Sequence, residues 1–131
     1  MSYQGKLLTE VMSNTNFRKV LFTGKKSQLV VMSIPMKGEI GEETHGDVEQ
    51  ALVILAGSGK AFLDGVESPL EAGDIVVVTP GTKHNIVNTG SIQMKIVTLY
   101  SPPNHIDGRV HATKAEADVD QEDEAFGHAV V

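Results

Sequence analysis

Short apolar runs broken by Gly, Pro, Asn and Asp recur along most of this chain, a spacing that predicts β-strands joined by tight turns. One run covers residues 17–23 and stops at Gly24; the next covers 28–34 and stops at Pro35. A strongly apolar run at 50–56 ends at Gly57, and a shorter one at 60–64 leads into Asp64-Gly65. That dipeptide favours a two-residue hairpin with positive φ at both central positions. Residues 75–79 stop at Pro80-Gly81, 84–88 at Thr89-Gly90, and 93–100 at Pro102-Pro103. Seven such strands with no helix between them predict an all-β sandwich or barrel. Continuous apolar stretches, as at 52–55 and 75–78, predict strands covered on both faces, by a second layer or by another subunit. Only the end reads as helical. Thr113 and Glu116 have capping-box spacing, an Ala- and acid-rich stretch follows, and Gly127 is a stop signal.

No repeat or linker divides the 131 residues, a length that suits one domain with its own core. The expected layout is an N-terminal arm over 1–14, a barrel over 15–103, and a C-terminal segment with an acidic tail over 104–131. The net charge of -6 belongs mostly to that tail, where Glu116, Asp118, Asp120, Glu122, Asp123 and Glu124 face Lys114 alone. A solubilising surface is its simplest role. The rest of the chain is nearly neutral and has no basic stripe, which argues against nucleic acid as a partner. Zero cysteines exclude disulfides and thiolate zinc sites. The first residues carry no apolar leader, and no apolar run approaches the roughly 20 residues that span a bilayer. The expectation is a cytoplasmic protein without a membrane partner.

Candidate chemistry concentrates in two blocks. The first reads Gly41-Glu-Glu-Thr-His45-Gly-Asp47-Val-Glu-Gln50, and the second Gly73-Asp-Ile-Val-Val-Val-Thr-Pro80-Gly81-Thr-Lys-His84-Asn-Ile-Val-Asn88. If the first block is extended, alternation puts Glu43, His45 and Asp47 on one face. Gln50 breaks that parity, so a turn or bulge must precede it, and Gly46 permits one. His84 follows a Pro-Gly turn that would aim it from a neighbouring strand. Paired histidines with oxygen donors point to one metal site inside the barrel, held by His45, Asp47, Gln50 and His84. Each has a plainer reading: Gln50 as a cross-strand hydrogen-bonding group, Asp47 as a turn former, Glu43 as a solvated charge, and Asn88 as a turn residue. His105 and His111 lie in a polar segment that either folds over the barrel mouth or packs on its outside, and His128 has no evident role.

These blocks resemble the two sequence motifs of the cupin family. His45 matches the first His of its His-x-His pair, with Asp47 where the second stands. Gln50, separated from Gly57 by six intervening residues, takes the place of the family's Glu, and His84 matches the His of the second motif. Gly73, Gly81 and Asn88 match as well, while Pro80 is displaced by one and Thr79 holds the usual Pro position. Further stretches over residues 15–118, among them Phe17 to Gly24 and Tyr100 to His111, resemble small single-domain cupins labelled mannose-6-phosphate isomerase-like. The resemblance implies a double-stranded β-helix, or jelly-roll barrel, with a short C-terminal helix and a homodimeric assembly. Residues 29–32 are an apolar run suited to burial between subunits.

The resemblance also implies a divalent transition metal. Two imidazoles, one carboxylate and one amide keep the ligand charge of the usual set while shifting it towards oxygen, which favours Mn, Fe or Ni, with Zn also compatible. The implied activity is that of a metal-dependent enzyme, isomerase-like or oxidoreductase- or lyase-like, on a small polar molecule such as a sugar or organic acid. Asp47 or Glu43 would move the proton. A non-catalytic sugar-binding or sensing module is the alternative. A phosphorylated sugar would need basic groups, for which Lys83, Arg109 and Lys95 are available, although Lys83 should alternate away from His84.

Overall fold

The computed structural model describes residues 1–129, with side chains as far as His128. A short helix, α1 (Leu7–Ser13), precedes the strands β1 (Arg18–Thr23), β2 (Gln28–Ile34), β3 (Glu49–Ala56), β4 (Ser58–Leu63), β5 (Val66–Glu71), β6 (Ile75–Val78), β7 (His84–Asn88), β8 (Met94–Ser101) and β9 (Val110–His111). Two helices, α2 (Lys114–Asp118) and α3 (Gln121–Ala129), follow. The strands form an antiparallel six-stranded sheet, in the order β6-β3-β8-β2-β1-β9, facing a three-stranded sheet, β5-β4-β7. This is the double-stranded β-helix, with its core between the sheets.

Alternation along the central strands fills that core. In β3, Gln50, Leu52 and Ile54 are buried between less buried neighbours, and in β8 the inward set is Met94, Ile96, Thr98 and Tyr100. Register places Ile54 opposite Ile96, Leu52 opposite Thr98, and Gln50 opposite Tyr100. The lining therefore grades from aliphatic to polar along the barrel. The polar end is where a site can form.

The outer face of the large sheet is covered in part by α1, whose Val11 packs on Val31 and Val97 with Leu29 and Val53 around them. The expected N-terminal arm thus contains a helix that only one buried side chain ties down, too little apolar periodicity to read from sequence. Residues 29–32 are mostly occupied within one chain: Val30 and Met32 face the core and Val31 lies under α1. Strand β5 also escaped the apolar pattern. Only Leu70 of its six residues is buried, and Pro69 suits its place at a sheet edge. The hairpin between β4 and β5 turns at Asp64 and Gly65, with φ of 49° and 83°.

Beyond β8 the chain returns to the barrel instead of trailing into solvent. The fully buried Gln28 amide clamps it: Oε1 accepts the N–H groups of Asn104 and His105 at 3.1 and 3.0 Å, and Nε2 donates to the His105 carbonyl at 2.7 Å. Thr113 caps α2, its hydroxyl accepting the Glu116 N–H at 3.2 Å. The helical stretch then divides into α2 and α3. Gly127 lies inside α3 and is not a stop; a Cβ there would meet the Asn104 carbonyl at 3.0 Å, so glycine allows the helix to approach that loop. The buried Asp123 carboxylate accepts from His105 Nδ1 at 2.7 Å and from the Ile106 N–H at 2.7 Å. His111 Nε2 bonds Asp120 at 2.8 Å, and Arg109 donates to Glu122 at 2.6 Å. The acidic tail is structural as well as soluble.

Replacing Gln28 by Leu strands two buried N–H groups and a carbonyl, and we expect a loss of about 3 kcal/mol in denaturant unfolding. A pH dependence also follows. Burial, reinforced by the Arg18 charge, holds His105 below the usual 6.5 even though Asp123 opposes the shift. Burial alone would raise Asp123, but hydrogen bonds from His105 and Ile106 carry it below 3.8. The unfolded chain takes up the His105 proton as pH falls through 6.5 while the folded chain does not, so stability falls from there until folded His105 titrates. Asp123 adds a second loss as pH falls below 3.8 through its folded value. Unfolding measured from pH 8 downward should show the first loss, and His105→Asn should flatten it.

Candidate metal and ligand site

Residues 38–45 run along the free edge of β7 as an irregular added strand. Ile40 donates to the Ile86 carbonyl at 2.9 Å, Glu43 and His84 exchange both backbone hydrogen bonds at 2.9 Å, and Gly81 donates to the His45 carbonyl at 2.7 Å. Gly41, at φ 111°, makes the bend that starts this pairing, and the Asn85 side chain accepts its N–H at 2.9 Å. Residues directly opposed in such a pair project to the same face. Glu43 and His84 therefore point together, and His45, two positions on, joins them. His45 Nε2 lies 3.3 Å from the Glu43 carboxylate, and the His45 and His84 rings are 5.2 Å apart.

Asp47 does not join. The chain bends at Gly46 and Asp47, and the Asp47 side chain is exposed. The inward pair is thus Glu43 and His45, two positions ahead of the His45 and Asp47 that motif matching selected. The alternation argument was sound for 43 and 45, but the bend that returns the chain to β3 begins before 47. Past the bend, Val48 and Gln50 face inward again, which resolves the parity of Gln50.

Two interactions orient ligand atoms. His84 Nδ1 bonds the Thr82 carbonyl at 2.9 Å, so Nδ1 carries the proton and Nε2 keeps its lone pair. The Gln50 Nε2 donates across the sheet to Thr98 Oγ1 at 3.1 Å, leaving Oε1 buried without a partner. Gln50 thus makes the cross-strand hydrogen bond of its plainer reading with the amide nitrogen, while its oxygen stays free. An orphaned carbonyl oxygen, two imidazoles and a carboxylate are donors of the kind a divalent cation takes, and burial lowers the His45 pKa and so favours its neutral, ligand-competent form. The positive neighbours His84, His105 and Arg18 add to that effect, against the opposing charge of Glu43.

Deeper in the barrel the polar lining continues. The Tyr100 ring meets His45 edge-on at 6.3 Å and His105 at 4.9 Å. Burial pushes the Tyr100 hydroxyl up to about 12, although the positive charge of the adjacent Arg18 guanidinium favours the phenolate. His105 is tied through Nδ1 to Asp123, so its buried Nε2 is free of partners. Arg18 alternates with Val20 on the inner face of β1 and is only 6% exposed. Its Nε is unpartnered, and no carboxylate comes within ion-pair distance of it among the described residues. Its guanidinium lies over the Phe17 ring at 5.2 Å, a contact worth about 2 kcal/mol when desolvated. That is less than the several kcal/mol that burying such a charge costs.

The other basic residues lie elsewhere. Lys83 is exposed, Lys95 donates to the Asn14 carbonyl and Ser33, and Arg109 pairs with Asp120 and Glu122. Asn88 is a structural knot, donating to the carbonyls of Ile34, Pro35 and Ile92 and accepting the Gly90 N–H. A second group, His111, Asp120 and Asp123, is close enough to share a cation, with ligand atoms all within 4.8 Å. Its carboxylates already accept from His111, His105, Arg109 and two backbone N–H groups, so a metal there would displace existing donors. Sequence reasoning missed Arg18 and Tyr100 in this site; the alternation with Val20 and with Thr98 was the available signal. Nothing in sequence pairs His105 with Asp123.

The model of the Cupin domain matches residues 30–100. A Bacillus subtilis protein, YrkC, is 39% identical over 110 residues, which cover 79% of this chain and 59% of that one. The chain therefore spans about three-fifths of that relative. The crystal structure of BH2720 from Bacillus halodurans superposes with a TM-score of 0.88 at 31% identity, over 90% of this chain and 94% of that one. A predicted oxalate decarboxylase from Thermotoga maritima superposes with a TM-score of 0.57 at 25% identity, over 60% and 69% of the two chains. With its barrel, its two motifs and the matched family model in agreement, the chain belongs to the cupin family.

Proposed function

We propose that this cupin holds one divalent transition metal between Glu43, His45, Gln50 and His84 and acts on a small polar molecule bound beside it. The observation that carries the reading is the buried, unpartnered Gln50 Oε1, left free because the amide nitrogen is held by Thr98. Two nitrogen and two oxygen donors suit Mn, Fe, Ni or Zn. Such a metal would supply Lewis-acid polarisation of a ligand oxygen.

The protein's own groups would do the rest. Tyr100, protonated at neutral pH, donates a hydrogen bond to the ligand. His105, kept as the tautomer with a free Nε2, accepts a proton within the water-poor interior. Glu43, on the partly exposed side of the site, screens the entrance, and Asp47 takes no part. Isomerisation of a phosphorylated sugar has little support, because Lys83, Lys95 and Arg109 do not line the interior. The neutral amide of Gln50, where the family carries a carboxylate, supports a second reading as a non-catalytic binding module, since it loosens the grip on metal. We also propose a homodimer through the outer sheet face, where Ile75, Val77 and Leu99 are exposed.

Metal analysis of the purified chain should find about one equivalent of a divalent transition metal, and the His45→Ala/His84→Ala variant should find none; full occupancy in that variant would sink the assignment. Thr98→Val, which frees the Gln50 amide to rotate, should weaken metal binding by about tenfold in a competition titration. Light scattering should return the mass of two chains, and Val77→Lys should return the mass of one.

A further inference from the structure

We infer that Arg18 is a carboxylate anchor, and that the molecule taken up beside the proposed metal centre is a small organic acid held between that centre and Arg18, with the Tyr100 hydroxyl as a second donor. The inference rests on the metal reading for one end of the ligand and on independent observations for the other. Arg18 is a permanent cation on the inner face of β1, 94% removed from solvent, with no carboxylate in ion-pair distance among the described residues. Asp123, whose charge is also felt at Tyr100, is already bound to His105 and to the Ile106 N–H. The guanidinium lies against Tyr100, whose ring also contacts His45, so the same side chain borders both the cation and the metal-side imidazole. Three buried atoms in this lining lack partners: Arg18 Nε, His105 Nε2 and Gln50 Oε1.

Those three atoms define complementary chemistry. A planar carboxylate accepts the forked guanidinium donors and the phenol. A second oxygen of the same molecule, one or two carbons away, lies towards the metal ligands. A hydroxyl or protonated oxygen on the ligand finds an acceptor in His105 Nε2. A neutral sugar satisfies the acceptor but leaves the Arg18 charge unpaired. Small hydroxy acids satisfy all three, whereas oxo- and dicarboxylic acids satisfy Arg18 and the metal side but bring no donor to His105 Nε2. Asp123 acts here as a positioning residue, because it holds the His105 ring with Nε2 free.

The test is calorimetric titration of the metal-loaded full chain with oxalate, pyruvate and lactate, with lactamide as the uncharged counterpart of lactate and metal content measured before and after. At least one acid should bind, lactamide should not, and Arg18→Met should weaken the acid by about 10- to 150-fold, the range for a hydrogen bond to a charged group. Arg18→Lys should recover part of that loss. Should Arg18→Met fail to fold, Arg18→Lys and Tyr100→Phe carry the test, each expected to bind the acid less tightly than wild type. Metal-loaded protein that binds none of the acids, that binds lactamide as tightly as lactate, or that binds equally well without Arg18 overturns the anchor and leaves the metal centre standing. A wild-type chain that takes up no metal overturns the centre and the inference with it.

Discussion

The backbone pairing of Glu43 with His84 is the contact on which the site depends. Two reciprocal hydrogen bonds of 2.9 Å dock an irregular segment to the edge of the small sheet, which the segment also meets at a bridge between Glu39 and Val87. Because opposed residues in an antiparallel pair share a face, that one register decides which side chains of the first motif enter the barrel. Shifted by a single residue, the pairing would turn Glu43 and His45 to solvent and bring Thr44 inward. The large sheet supplies Gln50, Thr98, Tyr100 and Arg18, while β7 of the small sheet brings His84 and the segment docked on it brings His45.

A second constraint is the burial of polar side chains inside the barrel. Polar groups at the polar end are satisfied selectively: Gln28 uses its whole amide on the returning chain, while Gln50 uses only its nitrogen. Two glutamines with equal burial thus have opposite meanings. One closes the structure, and the other leaves an acceptor open. The same contrast separates Arg109, which pairs with Asp120 and Glu122, from Arg18, which has no carboxylate within ion-pair distance among the described residues.

The barrel was legible in the sequence because its inward residues alternate and its turns carry Gly, Pro and Asp-Gly. Strands β2 and β7 begin and end where the apolar pattern says, and the Asp64-Gly65 turn has the expected positive φ values. What stayed hidden shares one cause: tertiary partners distant in sequence. Strand β5 is polar because it is an edge, and α1 is held by Val11 alone. The parity of the first motif was readable up to His45, but the bend that expels Asp47 depends on docking to β7. His105 and His111 gained their places only through Asp123 and Asp120, in a tail whose charge suggested nothing beyond solubility.

The family model ends at Tyr100 and begins at Val30, so it takes in His45, Gln50, His84 and Thr98 but stops short of Arg18, His105 and Asp123. The proposed metal ligands and the proposed carboxylate anchor therefore lie in different stretches of the chain. Drift in the flanking strand or the terminal helix could redirect what such a barrel accepts while its motifs stayed intact. Among cupins of this size, two chains alike over the matched core need not share a ligand, and the residues that separate them would lie on either side of the domain that names them.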